Sequence, residues 1–523
     1  MFSPSFQNQN ILKGIWPFLI LLILGLSLYG RTLFFDFTYL DDNTLIIENA
    51  PLISDLKNIG QIFSDDVFFS AAKFYYRPLL NVSFLLDMTV AGPAPVIFHL
   101  TNITIHILAA WLVWRLFIKL QHSPALSFFL AILFLVHPVM TQAVAWIPGR
   151  NDSLLAVLVL SAFLAFLNFK DQPRLGSYIS YLTFLFLALL TKETAIFLPA
   201  LVIFYFLFIE PKKIMVADRW LLVSGSAAAG FLWFLMRHFA LGGETTAYIS
   251  AFAQIIKNSP ALLIYLGKLI LPFNLNVFPI LADSTLVYGL IVLLLMVGAY
   301  FRTRLKRNNY IIFGLLWFLV FLLPAFIRIN GLPDFLEHRL YLSFVGFLII
   351  LVEISGLKDL DFRRQSVKII GAIILLILAI LTWQHSSNFR DRLTFWQSAA
   401  AGSPHSPLAQ RNLGVMYYFN DDLAAAKIYY NKALTLNPQE PMVHNNLGVI
   451  YLEEKNFPQA EIEFQAELAL DPNYDKALFN LGEVYYQQKN WVRADQLWTQ
   501  TLRVNPRHYQ AYEHLLILQN QLR

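Results

Sequence analysis

Hydrophobic positions along this chain come in two rhythms. Through residue 385 they form unbroken apolar runs of about 17 to 25 residues separated by polar segments, the length needed to cross a hydrocarbon core roughly 30 Å thick. Eleven such runs begin near residues 12, 98, 125, 153, 176, 194, 219, 285, 310, 339 and 367, and each predicts a membrane-spanning helix. The segment 260–280 is apolar too, but Pro272 breaks it, and a full crossing there would put Arg302 to Arg307 on the wrong side of the other cation-rich loops. A re-entrant or interfacial element is expected instead. Lys13 precedes the apolar run Ile15 to Tyr29 with no small-residue cleavage site after it, which predicts an uncleaved signal anchor as the first span.

From residue 386 the pattern turns amphipathic and periodic. Gly414, Gly448 and Gly482 lie 34 residues apart, as do Tyr417, Tyr451 and Tyr485, then Ala426, Ala460 and Ala494, then Pro438, Pro472 and Pro506. This is the tetratricopeptide period and pattern, in which small residues let two helices approach closely and a proline ends each pair. Trp396, Ala399 and Pro404 continue the spacing one step earlier, as a half-repeat expected to dock the array onto the last span. Glu467 and Thr501 stand where a small residue is expected, which puts tight local packing there in question. The predicted fold is all-α, in two parts. Residues 1–385 form a polytopic membrane helix bundle of about eleven spans, with 31–97 as its first extracytoplasmic loop. Residues 386–523 form an α-solenoid with repeats at about 407–440, 441–474 and 475–508 and a capping helix at 509–523.

Composition changes this picture only in detail. Hydrophobic residues make up 57% of the 523 and charged residues 14%, too apolar for a soluble domain, and the mean hydropathy is +0.54. Residues 386–523 carry 12 Lys/Arg and 14 Asp/Glu, so the overall net charge of +5 comes from the membrane part. Those cations flank spans and give no nucleic-acid surface. Lys119, Lys170 with Arg174, Lys212-Lys213 with Arg219, Arg302 to Arg307 and the group from Lys358 to Lys368 all fall on one side if Lys13 is cytoplasmic. The loops 31–97, 142–152, 242–284 and 328–338 then face outward together with the repeats. That is where chemistry is expected. The absence of cysteine excludes disulfides and thiol chemistry, and no Walker loop, dinucleotide fingerprint or HExxH motif is present.

The stretches YLDDN (39–43), YYRPL (75–79), FHLTNITIHIL (98–108), HPVMTQAVAWIPGRND (137–152), TKETA (191–195) and EHRLYLSFVG (337–346) follow one another in an order that resembles the transmembrane and tetratricopeptide repeat-containing proteins. That family resembles polyprenyl-phosphate-sugar-dependent glycosyltransferases of the C-type fold, including protein O-mannosyltransferases. The resemblance implies transfer of a sugar, mannose first among them, with inversion, from a lipid-phosphate donor to Ser or Thr hydroxyls of an acceptor polypeptide held by the repeats. It implies a multi-pass membrane location, in a bacterial inner membrane with the loops and repeats facing the periplasm, or in the endoplasmic reticulum of a eukaryote.

Such chemistry needs a base for the acceptor proton, and Asp41 and Asp42 are the catalytic candidates; similar enzymes favour the first acid of the pair. The plain alternative is two solvated acids after a helix. Adjacent carboxylates also suit a divalent cation, which stays an open alternative to no cofactor at all; Asp152 and Glu193 are candidates for holding it or for orienting the acceptor. Positive charge is needed for the phosphate, and Arg339 with His338, Arg77, Arg150 and Lys192 are the candidates. Arg339 leads because a guanidinium pairs two hydrogen bonds with phosphate oxygens. For Arg77 and Arg150 an interfacial position or a salt bridge competes with that role, and Lys192-Glu193 can simply pair at a helix start. His99 and His106 read as core residues, whereas His137 reads equally as a structural histidine or a ligand. The isoprenoid tail needs an apolar groove, expected along 260–280. Two other classes stay open: en bloc transfer of a lipid-linked glycan, and a scaffold in which only the repeats act.

Overall fold

The computed structural model describes residues 12, 14–70, 73–211, 214–242, 251–304, 306–327 and 335–522. Lys13, Lys212 and Lys213, which entered the orientation argument, lie outside them, as do 243–250 and 328–334 of the two outward loops. The regular elements among the described residues are helical, and the chain divides into two compact units, Met1–Phe395 and Trp396–Arg523.

In the first unit every one of the eleven apolar runs is met by a helix. Six are long and apolar enough to cross a membrane: Trp16–Phe34, Pro95–Lys119, Ile147–Asp171, Val216–Leu241, Asn308–Phe326 and Gln365–Phe389. Pro124–Val136 and Pro138–Ala145 make a seventh if taken together, bent by 51° where His137 adopts the extended backbone that a following proline imposes. Leu175–Thr191, Glu193–Ile209, Val287–Arg302 and Ser343–Ile354 are apolar helices of 10–17 residues. In the 260–280 segment, Ala261–Ile270 is only 10 residues long and stops before Pro272. Pro78–Ala91 is an apolar helix inside the first loop that the run-length pattern did not flag. Proline opens it, as proline opens Pro95–Lys119 and Pro124–Val136, since the first turn has no use for that N–H.

Glycines let some of these helices approach backbone to backbone. A Cβ on Gly346 would come within 2.5 Å of the Gly314 carbonyl oxygen, so Asn308–Leu322 and Ser343–Ile354 are in direct contact there. Nearby, Phe163, Tyr205, Phe313 and Trp317 interlock edge to face and face to face with centroids 5.3–5.9 Å apart.

The polar loops sort into two groups by what they touch. In one, Lys119 pairs with Asp171 at 3.1 Å, Lys170 pairs with Glu210, and Glu353 binds both Arg307 and Lys358, with His122 against Arg307. In the other, the segments around 77, 142–152, 192–193, 268–279 and 335–338 bind one another. This is the grouping expected from the cation pattern, with each set at its own end of the bundle.

In the second unit, helices alternate in pairs: Pro407–Phe419 with Leu423–Leu436, Val443–Glu453 with Phe457–Leu470, and Asp475–Gln487 with Trp491–Val504, followed by Tyr509–Leu522. The repeat extends into the turns. Asp421, Lys455 and Lys489, 34 residues apart, take left-handed backbone, and Asp422, Asn456 and Asn490 after them cap the second helix of each pair. Each repeat glycine faces an aromatic ring sixteen positions on: Gly414 meets Tyr430, Gly448 meets Phe464 and Gly482 meets Trp498. Glu467, one of the two departures, is buried, and its carboxylate accepts from the Met442 and Asn445 amides at 2.7 and 3.0 Å. It satisfies orphan amides at the start of Val443–Glu453, so the larger side chain supplies a helix cap inside its own repeat. Thr501 donates to the Leu497 carbonyl of its own helix.

A Cβ on Gly448 would lie 2.6–2.9 Å from the Phe464 ring. Gly448→Leu is therefore expected to overpack the second repeat and destabilise it by about 1–3 kcal/mol. Thermal unfolding of the full chain, followed by tryptophan fluorescence, checks this: the repeat transition moves down in temperature.

Candidate functional site

After the first span the chain runs through a tight loop that gives its two acids different surroundings. Asp42 is fully buried and turned into its own loop, accepting from the Thr38 amide at 2.5 Å, the Thr38 hydroxyl at 3.1 Å and the Leu40 amide at 2.9 Å. Burial pushes its carboxyl above the usual carboxylate range, against these hydrogen bonds, which pull it down. Tyr39, enclosed by those bonds, has a positive φ of 59°, which a bulky residue adopts only when its surroundings hold it. Asp42 is thus the clamp of the turn. Asp41, beside it, is half-exposed, and its carbonyl accepts from the Thr44 hydroxyl.

The same loop ends at Arg77, the residue before Pro78–Ala91. Its guanidinium lies over the Tyr75 ring at 4.4 Å and binds both oxygens of Glu193 at 3.0–3.3 Å. Asn151, with its amide turned to satisfy both neighbours, accepts from Arg77 at 3.1 Å and donates to the Thr191 carbonyl at 3.0 Å. Next to Glu193, Lys192 binds both oxygens of Asp152 at 2.7 and 2.8 Å. The His338 ring lies 3.8 Å from the same carboxylate and packs on Trp146 at 5.3 Å, while the His338 amide donates to Gln142. Arg339 is half-exposed in the turn Glu337–Leu340, near enough for its charge to act on Lys192. Five of the expected residues, Arg77, Asp152, Lys192, Glu193 and His338, are therefore brought together, with the Arg339 charge beside them. Three cations face two carboxylates.

Arg150 is engaged elsewhere. Its guanidinium is fully buried, pairs with Asp87 at 2.6 Å, and donates to Asn102, to Ser83 and to the Phe98 carbonyl. The salt-bridge alternative describes its geometry, with Asp87 as the partner. Among the described residues no group of three or more His, Asp or Glu side chains is placed to hold a metal ion. Asp152 does not fit a divalent cation in this arrangement, because the Lys192 ammonium already occupies both its oxygens and would repel a second positive charge.

One cluster went unread in the sequence. Glu337 is fully buried; its oxygens accept from Lys268 at 2.7 Å, the Asn276 amide at 2.9 Å and His385 at 2.9 Å. It thereby ties the Ala261–Ile270 helix, the segment after it and the end of Gln365–Ser386 to the turn that carries His338 and Arg339. Lys268 alone in an apolar helix was the available signal, since an intramembrane cation needs a partner. Asp87 in Pro78–Ala91 gave the same signal for Arg150.

Known proteins carry this combination of parts. The tetratricopeptide repeat family matches residues 417–475 and 445–497. Over 463 residues, 83% of this chain and 64% of the relative, the sequence is 25% identical to protein O-mannosyl-transferase F38B6.6 of Caenorhabditis elegans.

The chain resembles the transmembrane and tetratricopeptide repeat-containing protein O-mannosyl-transferases.

It is 26% identical to the human member TMTC4 over 81% of its own length, and 34% identical to mouse TMTC1 over 35%. It spans just under two thirds of the first and second of these three O-mannosyl-transferases and 21% of mouse TMTC1.

Burial raises the Glu337 carboxyl, but Lys268 and His385 outweigh it and hold the group down at about 2. A folded-state value below the unfolded one contributes stability above the unfolded pKa, and that stability is lost as pH falls through the folded value. Glu337 is thus expected to support the fold at neutral pH and to lose its effect between about 4.5 and about 2. Glu337→Gln leaves Lys268 buried without a counter-charge, at an expected cost of about 3–5 kcal/mol. Thermal melting of the detergent-solubilised protein checks it: the single variant melts lower, and adding Lys268→Met restores part of the loss.

Proposed function

We propose that the chain transfers mannose from a polyprenyl-phosphate carrier to Ser or Thr hydroxyls of extracytoplasmic polypeptides, with inversion, and that the repeats hold the acceptor. The observation that carries this reading is the convergence of Arg77, Lys192 and the Arg339 charge around Asp152 and Glu193, on the end of the bundle to which the Asp41 loop belongs. The excess of positive charge suits an anion held at the rim of an apolar body. Arg77 and Lys192 are each held in place by a carboxylate, so they do not have to reorganise when the phosphate arrives.

The hydroxyl oxygen of the acceptor forms the new bond to the anomeric carbon from the face opposite the phosphate, and the Asp41 carboxylate takes its proton. The bond from the anomeric carbon to the phosphate oxygen breaks, and its electron pair stays on the phosphate. The added negative charge is met by Arg339, Arg77 and Lys192, with His338 as a further donor. Asp42 keeps the Asp41 turn in shape, and Asp152 and Glu193 position the cations. No step is assigned to a divalent cation.

Asp41→Asn is expected to lower transfer by about two to four orders of magnitude, the usual contribution of a general base, while expression and insertion stay intact. The assay incubates purified protein with radiolabelled polyprenyl-phosphate mannose and a Ser/Thr-rich peptide; full activity in the variant removes the assignment. Product mass separates the other classes, because one hexose per site excludes en bloc transfer and no product at all favours the scaffold.

Orientation has its own test, helped by the lack of cysteine. Ser54 is exposed on the first loop, and Ser54→Cys is expected to react with a membrane-impermeant maleimide in intact bacterial cells permeabilised only at the outer membrane. Labelling only after the inner membrane is opened places this loop in the cytoplasm and ends the proposal.

A further inference from the structure

The segment 260–280, expected to border an apolar groove, is packed instead: a Cβ on Gly289 would run into the Leu263 backbone, so Ala261–Ile270 is pressed directly against Val287–Arg302. An open recess lies at the opposite end of the bundle, where Lys119, Lys170, Arg307 and Lys358 gather. It is a groove of about 270 Å³ between Pro124–Val136, which supplies Phe128, Phe129 and Ile132, and Gln365–Ser386, which supplies Val367, Gly371 and Leu375.

Both helices enter from this end. His122, two residues before Pro124, binds Arg307, and Lys358, seven residues before Gln365, binds Glu353. They run parallel and meet farther in, where the Thr382 hydroxyl donates to the Val136 carbonyl at 2.7 Å. Nearer their starts the groove lies between them, and Gly371 leaves room beside the Phe129 ring, which a Cβ there would approach to 3.3 Å. The Phe362 ring packs on Phe129 at 5.9 Å and completes the wall. From Val367 to Leu375 the groove runs about 12 Å at the usual helical rise, close to the roughly 15 Å of half a hydrocarbon core.

Among the described lining residues Lys368 alone has a polar side chain, and it is exposed in the first turn of its helix. Lys119, Lys170, Arg307 and Lys358 are each neutralised by a carboxylate. Among the described residues neither Lys368 nor Arg363 has an ion-pair partner, and Arg364 reaches only the exposed Asp361, at 3.8 Å. An apolar recess nearly one leaflet deep, with unneutralised cations at its start, is complementary in shape and charge to an amphiphile with an anionic head. We propose that the groove binds an anionic phospholipid of the leaflet on this side, the cytoplasmic one in the orientation given above, with its phosphate at Lys368 and one acyl chain along Phe129 and Gly371. Basic pockets between spans on that side hold such headgroups, and the leaflet there carries the anionic lipids. The site stands apart from the transferase reading, because it lies at the other end of the bundle from Arg77 and Lys192.

The experiment titrates the full-length protein in detergent with phosphatidylglycerol, with phosphatidylcholine of the same chains, or with polyprenyl phosphate, and reads retained lipid by native mass spectrometry and the melting temperature in each lipid. Phosphatidylglycerol is expected to be retained and to raise the melting temperature, as a ligand of the folded state does, and phosphatidylcholine to do neither. Lys368→Gln is expected to weaken phosphatidylglycerol retention about fivefold, the effect of one lysine on an anionic headgroup, and Gly371→Leu to abolish it. Arg302→Gln, which removes an exposed cation outside the groove lining, leaves retention unchanged. Lys368 is exposed, so its variant keeps the fold even where Gly371→Leu does not. Equal retention of the two phospholipids, or equal loss with Lys368→Gln and Arg302→Gln, reduces the groove to ordinary lipid-facing surface and overturns the proposal. Polyprenyl phosphate retained as well as phosphatidylglycerol, and lost with Lys368→Gln, gives the groove to a different amphiphile and overturns it too. The outcome of the Asp41→Asn transfer assay bears on none of these readings.

Discussion

An ionised group in or beside a bilayer must be paired, because the cost of an unpaired one exceeds what a single fold can tolerate. That constraint organises the membrane unit. Its ionisable side chains collect at the two ends of the bundle and bind each other across loops that are distant in sequence: Lys170 with Glu210, Arg307 and Lys358 with Glu353, Arg150 with Asp87, Lys268 and His385 with Glu337. Between those ends the bundle is apolar, and helix approach is set by glycines and interlocked rings. The pairs act as the buckles of an otherwise greasy assembly.

The same pairing rule separates fully enclosed charges from partly exposed ones. Arg150 and Glu337 are fully buried with every charged atom engaged by the protein, and a substrate has no access to them. Arg77 and Lys192 are paired with Glu193 and Asp152 but keep part of their surface exposed, and Arg339 is half-exposed beside them. The Asp41-Asp42 pair repeats the division within two residues, since Asp42 holds the turn and Asp41 is carried by it.

Much of the fold was legible in the chain. The apolar runs marked every helix beginning near the eleven expected starts, Pro272 marked the end of the short helix at 261–270, and the 34-residue period marked the repeats and the close helix approach at their glycines. Pro78–Ala91 was missed because it is shorter than a crossing and carries Asp87, so run length discarded it. Of the candidate site, the sequence offered residue types on several loops, five of which the fold brings together. The partners within it were not legible: Arg77 and Glu193 are 116 positions apart, Lys192 and Asp152 are 40, and no local pattern links such positions.

The amino-acid sequence by itself determined the class of protein, since a long apolar run has few stable places outside a membrane and a strict 34-residue period has few folds outside a helical solenoid. Tertiary structure alone decided which charge meets which, and that Arg150 is enclosed against Asp87 while Arg77 and Lys192 stand beside Glu193 and Asp152. The physical reason is range. Hydrophobic periodicity is a local property of the chain, whereas ion pairing and cavity shape depend on side chains that only folding brings within a few ångströms.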